Sequence, residues 1–356
     1  MSFGVQVIQS NPQQWKPAVI YLARKHEGIE SFKRFVSSYT QNPCGLDHDL
    51  VVLYKGFDSN AARFEAGKAF HGVPHRAIEL DDEGYDIGAY RKALEAISNE
   101  YVCFLNTHTE IASENWLRLM YQSMLLSDIG IVGSTGSYES LRSSIGLQSE
   151  VTRLCKSHQF PYDEAVDYYF RFLTEKSCRK WRSQRSFRIF RWARRVQQYL
   201  KRIERSLRSK VVPIENSKQF PTFPNPHIRS NGFMVHRNWM YESVDVPIRN
   251  KHDAFLFESG PNSLTARIRR AGLRAVVVDR RGNVYDVPDW WKSRTFRIAD
   301  QEDILLTDNQ SRGFMRLDPG SRYTHTRITW GDYVGEALSN FPNFEFGFTQ
   351  NDGVVF

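Results

Sequence analysis

The first 150 residues alternate short apolar runs with stretches of helical spacing, and no other feature restricts the fold as much. Runs at 18–23, 49–54, 76–80, 101–105 and 129–132 read as strands. Between them, 29–39, 60–70, 87–97 and a stretch through Trp116, Leu119, Met120 and Met124 place apolar residues three or four positions apart. Such alternation predicts a mostly parallel α/β sheet covered by helices. Ser113 is the expected N-cap of the fourth helix. The pattern stops near Glu150. Residues 151–220 carry no strand signal and read as an insertion: a helical stretch at 164–173, a basic segment, then a Pro-rich turn region. The pattern resumes with a strand at 232–236, a helix stopped by Gly272, and a strand at 275–278. From about Gln301 the chain is polar and turn-rich, and it ends in an aromatic tail. Four segments follow: 1–150, 151–220, 221–300 and 301–356.

Composition narrows the class. The chain is 41% hydrophobic and 25% charged, ordinary for a soluble globular protein. No apolar run reaches the roughly 18 residues of a membrane span, and 1–15 lacks the charged start and apolar centre of a signal peptide. Cys44, Cys103, Cys155 and Cys178 lie far apart without CxxC spacing, which fits a reducing cytosol. The net charge of +8 is uneven. Residues 179–210 hold thirteen Lys/Arg and one acid, a net of +12, so the remainder sums to 8 − 12 = −4. One local basic device is therefore expected, rather than a nucleic-acid-binding face over the whole domain.

In open α/β sheets, ligands bind beyond the carboxyl ends of the strands, where the strand order reverses. Ala23 and Arg24 leave the first strand, Lys55 and Gly56 the second, and Asn106-Thr107-His108-Thr109-Glu110 the fourth. Asp86 opens the helix ahead of that fourth strand. These residues are the candidates to line one crevice. Plain alternatives stand beside each: Lys55 as a surface charge, Asp86 as an N-cap, His108 as a structural histidine.

The order of these segments resembles the bacterial nucleotide-sugar glycosyltransferases of the GT-A fold, over roughly 17–150 and 225–300. Residues 86–94, reading Asp-Ile-Gly-Ala-Tyr-Arg-Lys-Ala-Leu, resemble that family's helix start, and in wording its rhamnan-synthesis branch. The resemblance implies a GT-A (Rossmann-like) sheet and transfer from a nucleotide diphosphate sugar to a saccharide or lipid-linked acceptor in surface-polysaccharide assembly. It implies Glu258 as the catalytic base of an inverting reaction, with Asp253 the alternative. A helix N-terminal acid is the plain reading of Glu258. It implies a donor site from Ala23, Arg24, Lys55, Asp86, Asn106, His108, Arg294 and Arg297. Asn231 and Gly232, with Trp290 and Trp291 in an aromatic, basic loop closing over the diphosphate, are implied on the acceptor side. The family's DxD carboxylates, which hold a divalent cation, here read Asn106-Thr107-His108. A Mn²⁺ or Mg²⁺ site would rest on Asn106, His108 and Glu110, two of them neutral ligands, so Lys55, Arg294 or Arg297 are expected to neutralise the diphosphate instead.

In the basic segment, Ile189, Ala193, Val196, Leu200, Ile203 and Leu207 form one helical stripe, with arginines opposite. Such a helix either packs its stripe or lies on an anionic membrane. The latter places the chain in the cytoplasm, peripheral on the inner membrane. Two rivals remain at this stage: a non-catalytic GT-A-like nucleotide or sugar binder, and a nucleic-acid binder using the basic helix.

Overall fold

The computed structural model describes residues 16–144, 217–244, 247–331 and 333. The basic helix, nearly all of the expected insertion, Cys155, Cys178 and the aromatic tail lie outside the described residues.

The expected strands form as β1 (Ala18–Arg24), β2 (Asp49–Lys55), β3 (Arg76–Leu80) and β4 (Tyr101–Leu105). After the two-residue β5 (Glu110–Ile111) come β6 (Ile129–Gly133), β7 (Gly136–Ser137), β8 (His227–Ile228), β9 (Gly232–His236), β10 (Arg274–Val278), β11 (Val284–Tyr285) and β12 (Leu306–Thr307). Among the described residues, eight strands make one sheet in the order β11-β10-β6-β9-β4-β1-β2-β3. β3, β2, β1 and β4 run parallel, as do β6 and β10, while β9 is antiparallel to both its neighbours. This is the mixed, mostly parallel, helix-covered α/β sheet expected from the sequence. Strands from 1–150 and from 221–300 share it.

The central strands are apolar throughout because both faces are covered. In β1, Ala18, Ile20 and Leu22 enter one core, and Val19, Tyr21 and Ala23 enter the other. The first core is closed by α3 (Tyr85–Ala93), α6 (Lys251–Ser259) and α7 (Leu264–Arg270), through Ile87, Tyr90, Phe257, Leu264 and Ile268. The second is closed by α1 (Ile29–Gln41) and α4 (Trp116–Met124), through Phe32, Phe35, Trp116 and Met120. The short α2 (Asn60–Gly67) follows β2, and α5 (Arg237–Ser243) follows β9.

Helix starts depart from expectation. The α4 N-cap is Asn115, at φ 59°, not Ser113. The α3 N-cap is Gly84, at φ 75°, and Asp86 sits inside the first turn. The stop at Gly272 holds: its φ is 82°, and the Leu273 N–H returns to the Ile268 carbonyl. The largest difference lies after Gln301. The turn-rich stretch contains α8 (Asn309–Met315) and α9 (Pro319–Trp330), and β12 pairs with β5. A buried ion pair, Arg229–Asp308 at 2.8 Å, ties this region to the segment between β8 and β9.

Candidate functional site

β1 is flanked by β2 on one side and β4 on the other, so the chain winds outward in both directions from that junction. The carboxyl ends of β1 and β4 therefore open on the switch-point crevice where α/β sheets take ligands. The β1–α1 loop and the β4–β5 turn form its lips. They meet at His108, whose Nε2 lies 3.2 Å from Oε2 of Glu27. Sequence reasoning missed Glu27. Its signal was position alone, three residues past the end of β1.

The β4–β5 turn is held from within. Asn106 Oδ1 accepts the His108 N–H at 2.9 Å and the Thr109 hydroxyl at 3.2 Å. The Tyr21 hydroxyl donates to the Thr107 carbonyl at 3.0 Å. Asn106 thus shapes the turn that aims His108 at Glu27.

On one side of these lips stand two carboxylates on neighbouring helices. Asp86 of α3 is half-buried and makes no hydrogen bond among the described residues. Burial pushes its pKa up, the Arg24 and Lys55 cations oppose that, and Glu258 and Glu27 add to it. Glu258 lies in the last turn of α6. A helix C-terminus disfavours a carboxylate by about 0.3–1 kcal/mol, so the reading of Glu258 as an acid placed by the helix dipole is wrong. What holds it is the Ser230 backbone N–H, donating to Oε1 at 2.7 Å. Glu258 also borders a small, largely apolar pocket with Ile228, Phe233, Phe257 and Leu264. Asp253 sits in the first turn of α6, at its other end, where it accepts the Arg249 N–H at 2.9 Å and gives its own N–H to the capping Asn250 at 3.0 Å.

The cations expected around the donor are largely committed elsewhere. Arg24 makes a two-pronged bond to Asp82 at 2.9 and 3.2 Å. Lys55 is fully buried and donates to the Glu83 carbonyl at 2.7 Å and to Asp82 at 3.2 Å. Its pKa is lowered, by burial first, with Asp82 opposing. Gly56, at φ 75°, faces Asp82 so closely that a Cβ would sit 3.0 Å from it. Arg24, Lys55 and Gly56 therefore fix the 81–83 loop that leads into Asp86. Arg294 pairs with Glu302. Arg297 is held by Glu139 and by Gln310, both at 2.9 Å. Burial lowers its pKa, with Glu139 opposing.

The aromatic loop is not a lid. Trp290 and Trp291 are buried in the first core, and Trp290 packs on Gly136 so that a Cβ there would lie 2.6 Å from its ring. Asn231 is buried behind the β4–β5 turn. Its carbonyl accepts from Thr109 at 2.7 Å and its Oδ1 from Thr135 at 2.7 Å. Its Nδ2 has no partner among the described residues. Gly232 pairs with Leu105 and leaves no room for a side chain, since a Cβ would meet Leu306 at 2.5 Å.

The three residues on which a metal site would rest do not assemble as one. Asn106 has spent its carbonyl oxygen within its own turn. Glu110 accepts from Arg34 at 3.0 Å and lies 3.2 Å from Arg312. Among the described residues, no three His, Cys, Asp or Glu are grouped to hold a metal ion. The residues at this turn do not fit a divalent cation.

No family model matches the chain, and neither does any curated protein. Among solved structures it is similar to glucosyl-3-phosphoglycerate synthase from Mycobacterium tuberculosis, in complex with Mn²⁺, uridine diphosphate and phosphoglyceric acid. A second structure of that enzyme holds Mg²⁺ and uridine diphosphate. In both, identity is 17%, the TM-score is 0.25, and the match covers 33% of this chain and 42% of the other. The chain thus spans under half the length of the solved structures it matches. A likeness that partial carries no argument about activity, which rests on the site itself.

Proposed function

We propose that the chain is a GT-A-type glycosyltransferase that moves a sugar from a nucleotide diphosphate sugar to a saccharide or lipid-linked saccharide, with inversion, in bacterial surface-polysaccharide assembly. The observation that carries this reading is Glu258: a half-buried carboxylate at an unfavourable helix end, beside the switch-point crevice, held by one backbone N–H with its second oxygen unclaimed. That is the disposition a general base needs. Glu258 takes the proton of the acceptor hydroxyl as its oxygen bonds to the anomeric carbon. The bond from that carbon to the diphosphate breaks, and the electron pair leaves with the nucleoside diphosphate. Asp86 lines the donor side of the same crevice, and Glu27 and His108 form its lips. Residues 1–150 supply the donor half and 221–300 the acceptor half.

No helix among the described residues is long and apolar enough to cross a membrane. The basic segment at 181–207 would then bring a cytoplasmic enzyme to the inner leaflet, where lipid-linked acceptors are found. The neutral β4 turn supports a second reading, a GT-A-like binder of nucleotide or sugar without catalysis. A thermal-shift screen with UDP, dTDP and GDP, each with and without Mn²⁺, tests the donor site that both readings share. At least one should raise the melting temperature. No shift and no calorimetric heat from any of them would refute both. Release of nucleoside diphosphate from a nucleotide sugar then separates enzyme from binder.

A further inference from the structure

The crevice needs positive charge for a departing diphosphate, and neither a metal set nor the cations expected from the sequence stand there unspent. One cation does. Arg312, on α8, reaches back to the β4–β5 turn and donates from Nη1 to the His108 carbonyl at 3.0 Å. Its contacts with Thr307 at 3.4 Å and Glu110 at 3.2 Å fall on the same nitrogen. Its Nε and Nη2 have no partner among the described residues, and its side chain keeps 23% exposure.

Arg312 is not alone. Arg34 and Arg316 lie within electrostatic reach of it. Of the two acids in the same neighbourhood, Asp308 is bound to Arg229, which leaves Glu110 to face both Arg34 and Arg312. The surplus is cationic, at the turn where a DxD motif would put its metal.

The side of the crevice also suits the role. Glu258 stands on a helix that covers one face of the sheet, whereas Arg34, Glu110 and Thr307 stand on elements that cover the other. In an inverting displacement the nucleophile and leaving group lie on opposite sides of the reacting carbon. A base on one side and countercharge on the other is the matching layout.

We infer that Arg312, supported by Arg34 and Arg316, binds the diphosphate of the nucleotide donor in place of a divalent cation. This rests on the donor-site reading above. A guanidinium with two free N–H groups offers the two-pronged bond that a phosphate takes.

The test is calorimetric titration with UDP, dTDP, GDP and inorganic pyrophosphate, in EDTA and in Mn²⁺, on wild type, Arg312→Gln and Arg312→Lys. Wild type should bind a nucleoside diphosphate equally well in EDTA and in Mn²⁺. Arg312→Gln should bind it at least about tenfold more weakly, the size of one charge-assisted hydrogen bond. Wild type should also bind pyrophosphate, and Arg312→Gln should lose that affinity in parallel, marking the loss as one of charge rather than of base recognition. Arg312→Lys can still bond the His108 carbonyl, so it serves if the glutamine variant does not fold. It should bind several-fold more weakly than wild type for want of the planar fork. Unchanged affinity in either folded variant, or wild-type binding that requires Mn²⁺, overturns the assignment. Absence of binding by wild type under every condition overturns the donor-site reading instead, and this inference with it.

Discussion

In the proposed reading, two carboxylates on neighbouring helices, Asp86 and Glu258, carry the chemistry at the residue scale, and each makes a separate prediction. Glu258→Gln keeps shape and loses the proton acceptor. It should lower turnover by about a hundredfold or more while donor affinity stays within twofold. Near-normal turnover would move the base elsewhere. Asp86 is held in a place that disfavours its charge, because burial and Glu258 both raise its pKa. A carboxyl whose folded pKa exceeds its unfolded value of about 3.9 binds more protons in the native state between the two. Stability is therefore lost as pH rises through that window, and the loss is complete above the folded pKa. Asp86→Asn should accordingly melt higher than wild type at pH 7, with the gap narrowing as pH falls toward 4. Equal melting temperatures at pH 7 would show that the site imposes no such cost. Little of this was readable from sequence. Asp86 and Glu258 stood out by position, but that they face one crevice depends on how α3 and α6 pack. Glu27 had no motif to mark it.

Elements were legible where they carry an apolar pattern. β1, β2, β4, α1 and α4 have one because their apolar residues fill the cores on the two faces of the sheet, and their spacing revealed them. α9 reads Pro-Gly-Ser-Arg-Tyr-Thr-His-Thr-Arg-Ile-Thr-Trp and has no such stripe, so it passed for turn. Its start was nonetheless signalled. Asp318 caps Ser321 with Pro319 at the first helical position, and Asp308 and Ser311 form a reciprocal cap on α8. The Trp290–Trp291 pair misled in the opposite sense. The family resemblance implied a loop closing over the diphosphate, but the large apolar area of each ring is buried in the core. The C-terminal elements make their own prediction through Arg229 and Asp308, both almost fully buried. Arg229→Met strands the Asp308 carboxylate and should cost about 3–5 kcal/mol in urea unfolding. Burial raises the Asp308 pKa, but Arg229 and the Ser311 N–H outweigh it and hold it below the usual range. Its contribution is present above the unfolded pKa and lost as pH falls through the folded one. The gap between wild type and Arg229→Met should thus close in acid. A pH-independent gap would mean the loss is packing, not charge.

At the scale of the whole molecule, the sheet order converts a linear alternation into a crevice. The alternation predicted a parallel sheet; the reversal at β1 emerges only from its pairing with β4, 84 positions away, and the antiparallel β9 from pairing between residues more than a hundred positions apart. That pairing brings the Ser230–Gly232 segment beside β4, and with it the N–H that holds Glu258. It also lets the C-terminal helices reach the β4–β5 turn, so that Arg312, far from every donor residue in sequence, becomes its neighbour. The central claim is that this crevice activates an acceptor hydroxyl against a nucleotide sugar. The most direct measurement is release of nucleoside diphosphate from a panel of UDP-, dTDP- and GDP-sugars at millimolar concentration, by wild type and Glu258→Gln, with saccharide acceptors and with water alone. The account predicts that wild type turns over at least one donor and that Glu258→Gln loses at least about a hundredfold of that rate. Turnover of no donor by wild type, or equal rates for the two proteins, would contradict it.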